Sequence, residues 1–142
     1  MYIAIKNFHS IIAFFLLIFL LFAILYNAYS WSIKKPFDKS NKLAALLGMI
    51  SVHTQFLLGL ILYCLSPLGL SNISGEAMKN ANSRFYMLEH PFTMILGLVL
   101  ITIGYSKAMR LTDGNAKYKK IMVFYSLGLI LFLSRIPWST WL

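Results

Sequence analysis

Apolar residues fall in four long blocks separated by short polar ones. The first, Ile11 to Tyr26, is nearly unbroken, and a helix through it extends back to about Tyr2 and forward to Trp31. The others run from Leu43 to Leu65, Phe85 to Ser106 and Ile121 to Ile136. None alternates with a period of two, which argues against the strands of a barrel. With its flanks, each block supplies the ~20 residues that cross ~30 Å of hydrocarbon as a helix. Unpaired backbone groups are too costly in lipid for open strands. The pattern predicts helices over 2–31, 42–66, 83–107 and 118–137, in one transmembrane domain spanning 1–142. The fold class expected is all-α, an integral membrane four-helix up-down bundle.

The polar breaks place the connections. Lys34-Lys35-Pro36-Phe37-Asp38-Lys39 ends the first helix, and Ser40 or Asn41 is the expected cap of the second. Ser66-Pro67-Leu68-Gly69 ends the second. Ser71 to Ser83 is the longest connection, with a short surface helix expected around Ala77 to Asn80. Thr112-Asp113-Gly114-Asn115 reads as a turn. Pro137 and the Trp138/Trp141 pair close the chain at a membrane interface, where tryptophan is enriched. The first apolar run is too long for a signal-peptide core and lacks a small-residue cleavage site after it, so it reads as a retained helix.

Composition agrees with a membrane protein. Hydrophobic residues make up 59% and charged residues 12%, against about 25% charged in soluble domains. The single cysteine, Cys64, excludes an internal disulfide and any multi-cysteine metal site. It reads as a small packing residue. The formal charge of +9 is a topology signal rather than a nucleic-acid footprint. Nine of the 13 Lys and Arg lie in the two short loops: Lys34, Lys35, Lys39 and Lys42, then Lys107, Arg110, Lys117, Lys119 and Lys120. Lys6, Lys79, Arg84 and Arg135 lie on the other side. The positive-inside rule puts the loops in the cytoplasm and both termini on the periplasmic side. Membrane lipid is thus an expected partner.

The three histidines, His9, His53 and His90, all fall inside predicted spans, where ionisable groups are rare and tend to face the bundle interior. His9 and His90 each lie seven residues into inward-running helices, ~10 Å below the outer end. His53 is roughly 9 Å deeper. The first and third helices of an up-down bundle are diagonal partners. Two histidines at matched depth on diagonal helices suit axial ligation of one b-type haem. Gly97, seven residues after His90, is expected to give the macrocycle room. Arg84 and Arg135 at the outer ends are expected to hold its propionates, or else to snorkel at the interface. His53 is an alternative ligand, or a proton or quinone hydrogen-bond donor beside Gln55. Glu89 reads as a carboxylate favoured by a helix N-terminus, or as a proton carrier on the propionate side. Pro91 is expected to kink the third helix. The bland alternative for the histidines is hydrogen bonding between helices. The chain carries no phosphate-binding glycine loop, nucleophile elbow or His-Glu-x-x-His motif.

Phe8-His9-Ser10, the stretch His53 to Tyr63 with Ser66-Pro67, and Glu89-His90 followed by Ile101-Thr102-Ile103-Gly104 resemble a family of small four-helix membrane proteins. These occur in Bacteroidetes-type bacteria and are labelled cytochrome b. The resemblance implies a bacterial inner membrane, haem b, electron transfer, and other membrane or redox subunits as partners. A fainter resemblance, through Phe8-His9, is to the HemJ-type protoporphyrinogen oxidases, which bind haem b and use a Lys on a later helix. That alternative implies a haem-biosynthesis enzyme with an electron acceptor such as quinone. Here the matching region reads Leu88-Glu89-His90-Pro91-Phe92, with no Lys. A third alternative is a cofactor-free accessory subunit.

Overall fold

A computed structural model describes residues 1–141. The described residues contain helices and no strand. Their helices are α1 (Tyr2–Ser32), α2 (Lys39–Leu65), α3 (Gly75–Lys79), α4 (Ala81–Arg84), α5 (His90–Arg110), α6 (Gly114–Ser134) and α7 (Trp138–Trp141). A 3-10 turn covers Leu70–Asn72, and a π turn, Phe85–Glu89, joins α4 to α5.

The ends of the helices explain the shifted boundaries. At the end of α1, Lys34 adopts a left-handed φ of 56°. Its N–H donates to Trp31 O at 3.0 Å, and the Lys35 N–H donates to Ser30 O at 2.9 Å. This is the bonding of a Schellman turn, with lysine where glycine is usual. Helix α2 starts three residues earlier than predicted because Asp38, not Ser40 or Asn41, is its cap. The Asp38 carboxylate accepts from Ser40 N and Asn41 N, and the Asn41 side chain accepts from Asp38 N. This reciprocal pairing satisfies helix-start donors that otherwise lack partners. The expected turn at 112–115 is half helix, since Asp113 caps α6 by accepting from Ala116 N. The short surface helix forms at Gly75–Lys79. Helix α6 stops at Ser134, before Pro137, so Arg135 lies outside it.

Four helices exceed 20 residues, and they pack in a closed order. Helix α1 lies against α2 and α6, and α5 lies against α6 and α2. Helices α1 and α5 are therefore diagonal. Close approach of α5 and α6 depends on small residues. A Cβ on Gly97 would meet the Phe132 ring, one on Gly104 would meet Phe124, and one on Gly128 would meet Ile101.

Three stretches are long and apolar enough to cross a membrane: Tyr2–Ser32, Lys39–Leu65 and Ala81–Arg110. Helix α6 falls short of that standard, so three of the four expected spans are shown. Lys117, Lys119 and Lys120 occupy its first two turns, and its uncharged run begins only at Ile121. The outer faces are apolar: Phe14, Leu25, Leu57, Phe92 and Ile130 are all more than half exposed. Such an apolar exterior suits lipid and not water. Cys64 is on this exterior, so it does not fill the core.

The buried interior is apolar around Leu20, Ile101 and Ile121, and polar at the lysine-rich end. There Asn41 Nδ2 donates to Ser30 Oγ at 3.0 Å. Tyr118 Oη donates to Lys35 O at 3.0 Å and lies 3.2 Å from Asn41 Oδ1. Lys35 Nζ donates to Asp38 at 2.7 Å and to Asn41 Oδ1 at 2.9 Å. The knot ties α1, its loop, α2 and α6 together. Tyr125 Oη adds a bond from α6 to Ala45 O at 2.6 Å.

Candidate functional site

The opposite end of the bundle gathers two of the three histidines, His9 and His90. His90 begins α5, directly after the π turn. Pro91 has no N–H, so it cannot make the helical bond to Met87 O. The backbone there widens instead, with the His90 N–H donating to Phe85 O. Tyr63 of α2 donates its hydroxyl to Met87 O at 2.9 Å. Proline, π turn and tyrosine together fix where His90 stands.

The structure brings His9 and His90 together. Their ring centroids are 6.5 Å apart and their planes are nearly perpendicular, at 76°. His90 Nδ1 lies 2.7 Å from the backbone oxygen of Arg135. A carbonyl can only accept, so Nδ1 carries the proton and Nε2 keeps its lone pair. That carbonyl is free because α6 has already ended. His90 Nε2 has no hydrogen-bond partner among the described residues.

His9 is held from α2. Gln55 Nε2 donates to His9 O at 2.9 Å and lies 3.3 Å from His9 Nε2. The His9 ring sits over Gly59, where an added Cβ would be 3.1 Å from His9 Cε1. Gly59 is one helical turn after Gln55, so both face α1. His9 Nδ1 and Gln55 Oε1 are buried without hydrogen-bond partners among the described residues. Native proteins seldom leave buried polar atoms unpaired.

The cations expected nearby are present, with a carboxylate between them. Arg84 Nε lies 2.9 Å from Glu89 Oε1, and Arg135 Nε lies 3.7 Å from Glu89 Oε2. Arg84 also donates to Met78 O at 3.0 Å. The C-terminal turn folds over the same end, where Trp141 Nε1 donates to Ser10 O at 3.1 Å. Tyr86 and Thr140 hydroxyls are 3.0 Å apart.

Gly97 and His53 belong elsewhere. Gly97 is buried against Phe132 of α6, so the space left by its missing side chain is already filled. It offers no flat opening to a macrocycle. His53 Nδ1 donates to Met49 O at 2.9 Å, and its Nε2 is 3.4 Å from Thr102 Oγ1 of α5. Thr102 already donates to Leu98 O at 2.7 Å. Gln55 does not assist His53, because residues two apart on a helix point in different directions.

Sequence reasoning missed Gln55 and Gly59 as neighbours of His9, and Tyr63 as the partner of the π turn. The available signal was spacing: Gln55, Gly59 and Tyr63 recur every four residues along one side of α2.

No group of three or more His, Cys, Asp or Glu side chains among the described residues could hold a metal ion. A pair of histidines falls below that count. Two imidazoles on one metal have ring centres roughly 6 Å apart, given metal–nitrogen bonds of about 2 Å. The observed 6.5 Å fits that requirement. The free Nε2 of His90 fits it chemically. The chain matches no protein-family model, no curated protein and no solved structure.

Proposed function

We propose that the chain is a b-type cytochrome of a bacterial inner membrane, with one haem held between His9 of α1 and His90 of α5. In this reading all four long helices span the bilayer and both termini face the periplasm. Nine basic residues at the loop end against four at the other support that orientation. The observation that carries the reading is the pairing of His9 and His90 at 6.5 Å on diagonal helices. A haem iron held there supplies reversible one-electron transfer. The partner is another membrane redox subunit or a quinone.

The chain's own residues do the rest. His90 is oriented by the Arg135 carbonyl, a bond that fixes its tautomer and raises the basicity of Nε2. Gln55 and Gly59 position His9. Arg84 and Arg135 place two positive charges beside the pair, partly balanced by Glu89, and can turn to a propionate.

The test is a dithionite-reduced minus oxidised absorption spectrum of the detergent-purified protein, beside His9→Ala and His90→Ala. A b-type spectrum in the parent, lost in both variants, is expected. A second reading, a cofactor-free accessory subunit, draws on Phe132 filling the space at Gly97 and on Glu89 already engaging both arginines. A folded protein that stays colourless when produced with added haem would establish the second reading and remove the first.

A further inference from the structure

A second place on the molecule combines charge with an apolar wall, far from the histidines in chemistry. At the lysine-rich end a depression of about 590 Å³ is bordered by Lys39, Lys42 and Lys117, with Leu43, Leu46 and Met109 lining it. Lys39 and Lys42 are exposed. Lys117 is braced, its Nζ standing 5.2 Å over the Phe37 ring. Among the described residues, none of these three lysines has an ion-pair partner. The one acid at the rim is Asp38, and it is committed to Lys35 and to the start of α2. Three cations without ion-pair partners thus border one depression, a local positive potential that favours an anion there.

We propose that this depression binds the phosphate of an anionic phospholipid, with an acyl chain lying along α2. The apolar wall decides between a lipid and a free phosphate ion. From the depression, Leu43, Ile50 and Leu57 descend at seven-residue spacing, each more than half exposed. That stripe continues the lining of the depression into the span. A soluble anion has no use for it, whereas an acyl chain covers it. Lysines at the head and leucines below match the two halves of one lipid molecule. The inference rests on the membrane reading alone and is independent of the haem.

The experiment measures the melting temperature of the protein in a neutral detergent, titrated separately with phosphatidylglycerol, phosphatidylcholine and inorganic phosphate. The parent is compared with Lys39→Gln/Lys42→Gln/Lys117→Gln. A control removes equal charge elsewhere at the same end: Lys34→Gln/Lys107→Gln/Lys119→Gln. Expected is a saturable upward shift with phosphatidylglycerol alone. The first triple variant should lose affinity at least about tenfold, given roughly a factor of five per lysine near a lipid surface. The control variant should keep it. Native mass spectrometry of the same samples should show one retained phosphatidylglycerol in parent and control and none in the first variant. Equal weakening in both triple variants would overturn the proposal, leaving a diffuse charge effect. A shift reproduced by inorganic phosphate would overturn it in favour of a free-anion site. A haem spectrum unchanged across all three proteins keeps this outcome separate from the redox reading.

Discussion

The Tyr63 hydroxyl stands 2.9 Å from Met87 O, the carbonyl for which Pro91 has no N–H to offer. A donor from α2 replaces one that α5 lost, and His90 sits between the two defects in the chain. Tyr63→Phe should therefore leave a buried acceptor without this donor, at a cost of about 1–3 kcal/mol. The expected signature is a double-mutant cycle. In a Pro91→Ala background the backbone N–H returns, so Tyr63→Phe should cost clearly less there. Thermal melts of the four proteins give the coupling. Additive effects would mean that tyrosine and proline act independently.

Gly97 makes a different prediction from the one its seven-residue spacing from His90 suggests. A Cβ there would lie 2.3 Å from Phe132 Cε1, closer than atoms approach without movement. Gly97→Ala should destabilise the α5–α6 contact by about 1–3 kcal/mol, the usual range for overpacking. Phe132→Leu in the same chain should recover part of the loss, by freeing the volume that the ring occupies. Melting temperatures of the two single variants and the double variant check this. Gly59→Ala should be milder, since its Cβ would stand 3.1 Å from His9 Cε1, a distance that a small ring shift relieves.

The fold was legible where one physical rule acted alone. Long apolar runs specified α1 and α2 to within three residues, because lipid burial and backbone pairing demand a helix. The matched depth of His9 and His90 followed from 1.5 Å per residue and the up-down order. Failures came where two rules competed. Asp38 stands in the charged stretch that ends α1 and also caps α2, a double role that only the structure shows. The start of α5 broke into a π turn because Pro91 removed one bond, and only a tertiary partner, Tyr63, shows how the chain compensates. The heptad spacing from His90 points Gly97 toward a cofactor. Seven residues make nearly two turns, yet the ring that fills the gap comes from α6 and leaves no trace in that spacing.

Acid and alkali should both act at the loop between α1 and α2. Hydrogen bonds from Lys35 and Ser40 hold the Asp38 carboxyl well below its usual value of 3.8. The bond to Asp38 raises Lys35 above its usual 10.5. A depressed carboxyl contributes stability that is present above its unfolded pKa and is lost as pH falls through the folded one. A raised amine contributes stability that is present below its unfolded pKa and is lost as pH rises through the folded one. The parent's advantage over Asp38→Asn should thus be flat between about pH 5 and pH 9. It should shrink below 3.8 and again above 10.5. Melting temperatures of both proteins across pH check the shape. An advantage that does not change with pH would show that the ionised forms of Asp38 and Lys35 add nothing to stability.

His53 is the histidine that separates a ligand site from a structural pair. It is the residue most easily mistaken for a ligand, being an ionisable group deep in a span. Its Nδ1 proton is on Met49 O, and its Nε2 faces a threonine hydroxyl whose own proton is on Leu98 O. His53 thus has one bonded nitrogen, Nδ1, and an Nε2 that meets only Thr102 of α5, whereas the His9 and His90 rings meet each other at 6.5 Å. His53→Ala should leave the b-type spectrum and haem content of the purified protein near those of the parent. It should lower stability by about 1 kcal/mol, the size of one net hydrogen bond. His9→Ala and His90→Ala should each abolish the spectrum while costing no more in apo-protein stability than His53→Ala. Loss of the spectrum in His53→Ala, with retention in His9→Ala, would move the ligand assignment to His53. The bundle would then have to rotate α2 to release that ring from Met49 and Thr102, a change that the Tyr125 bond to Ala45 O on the same helix opposes.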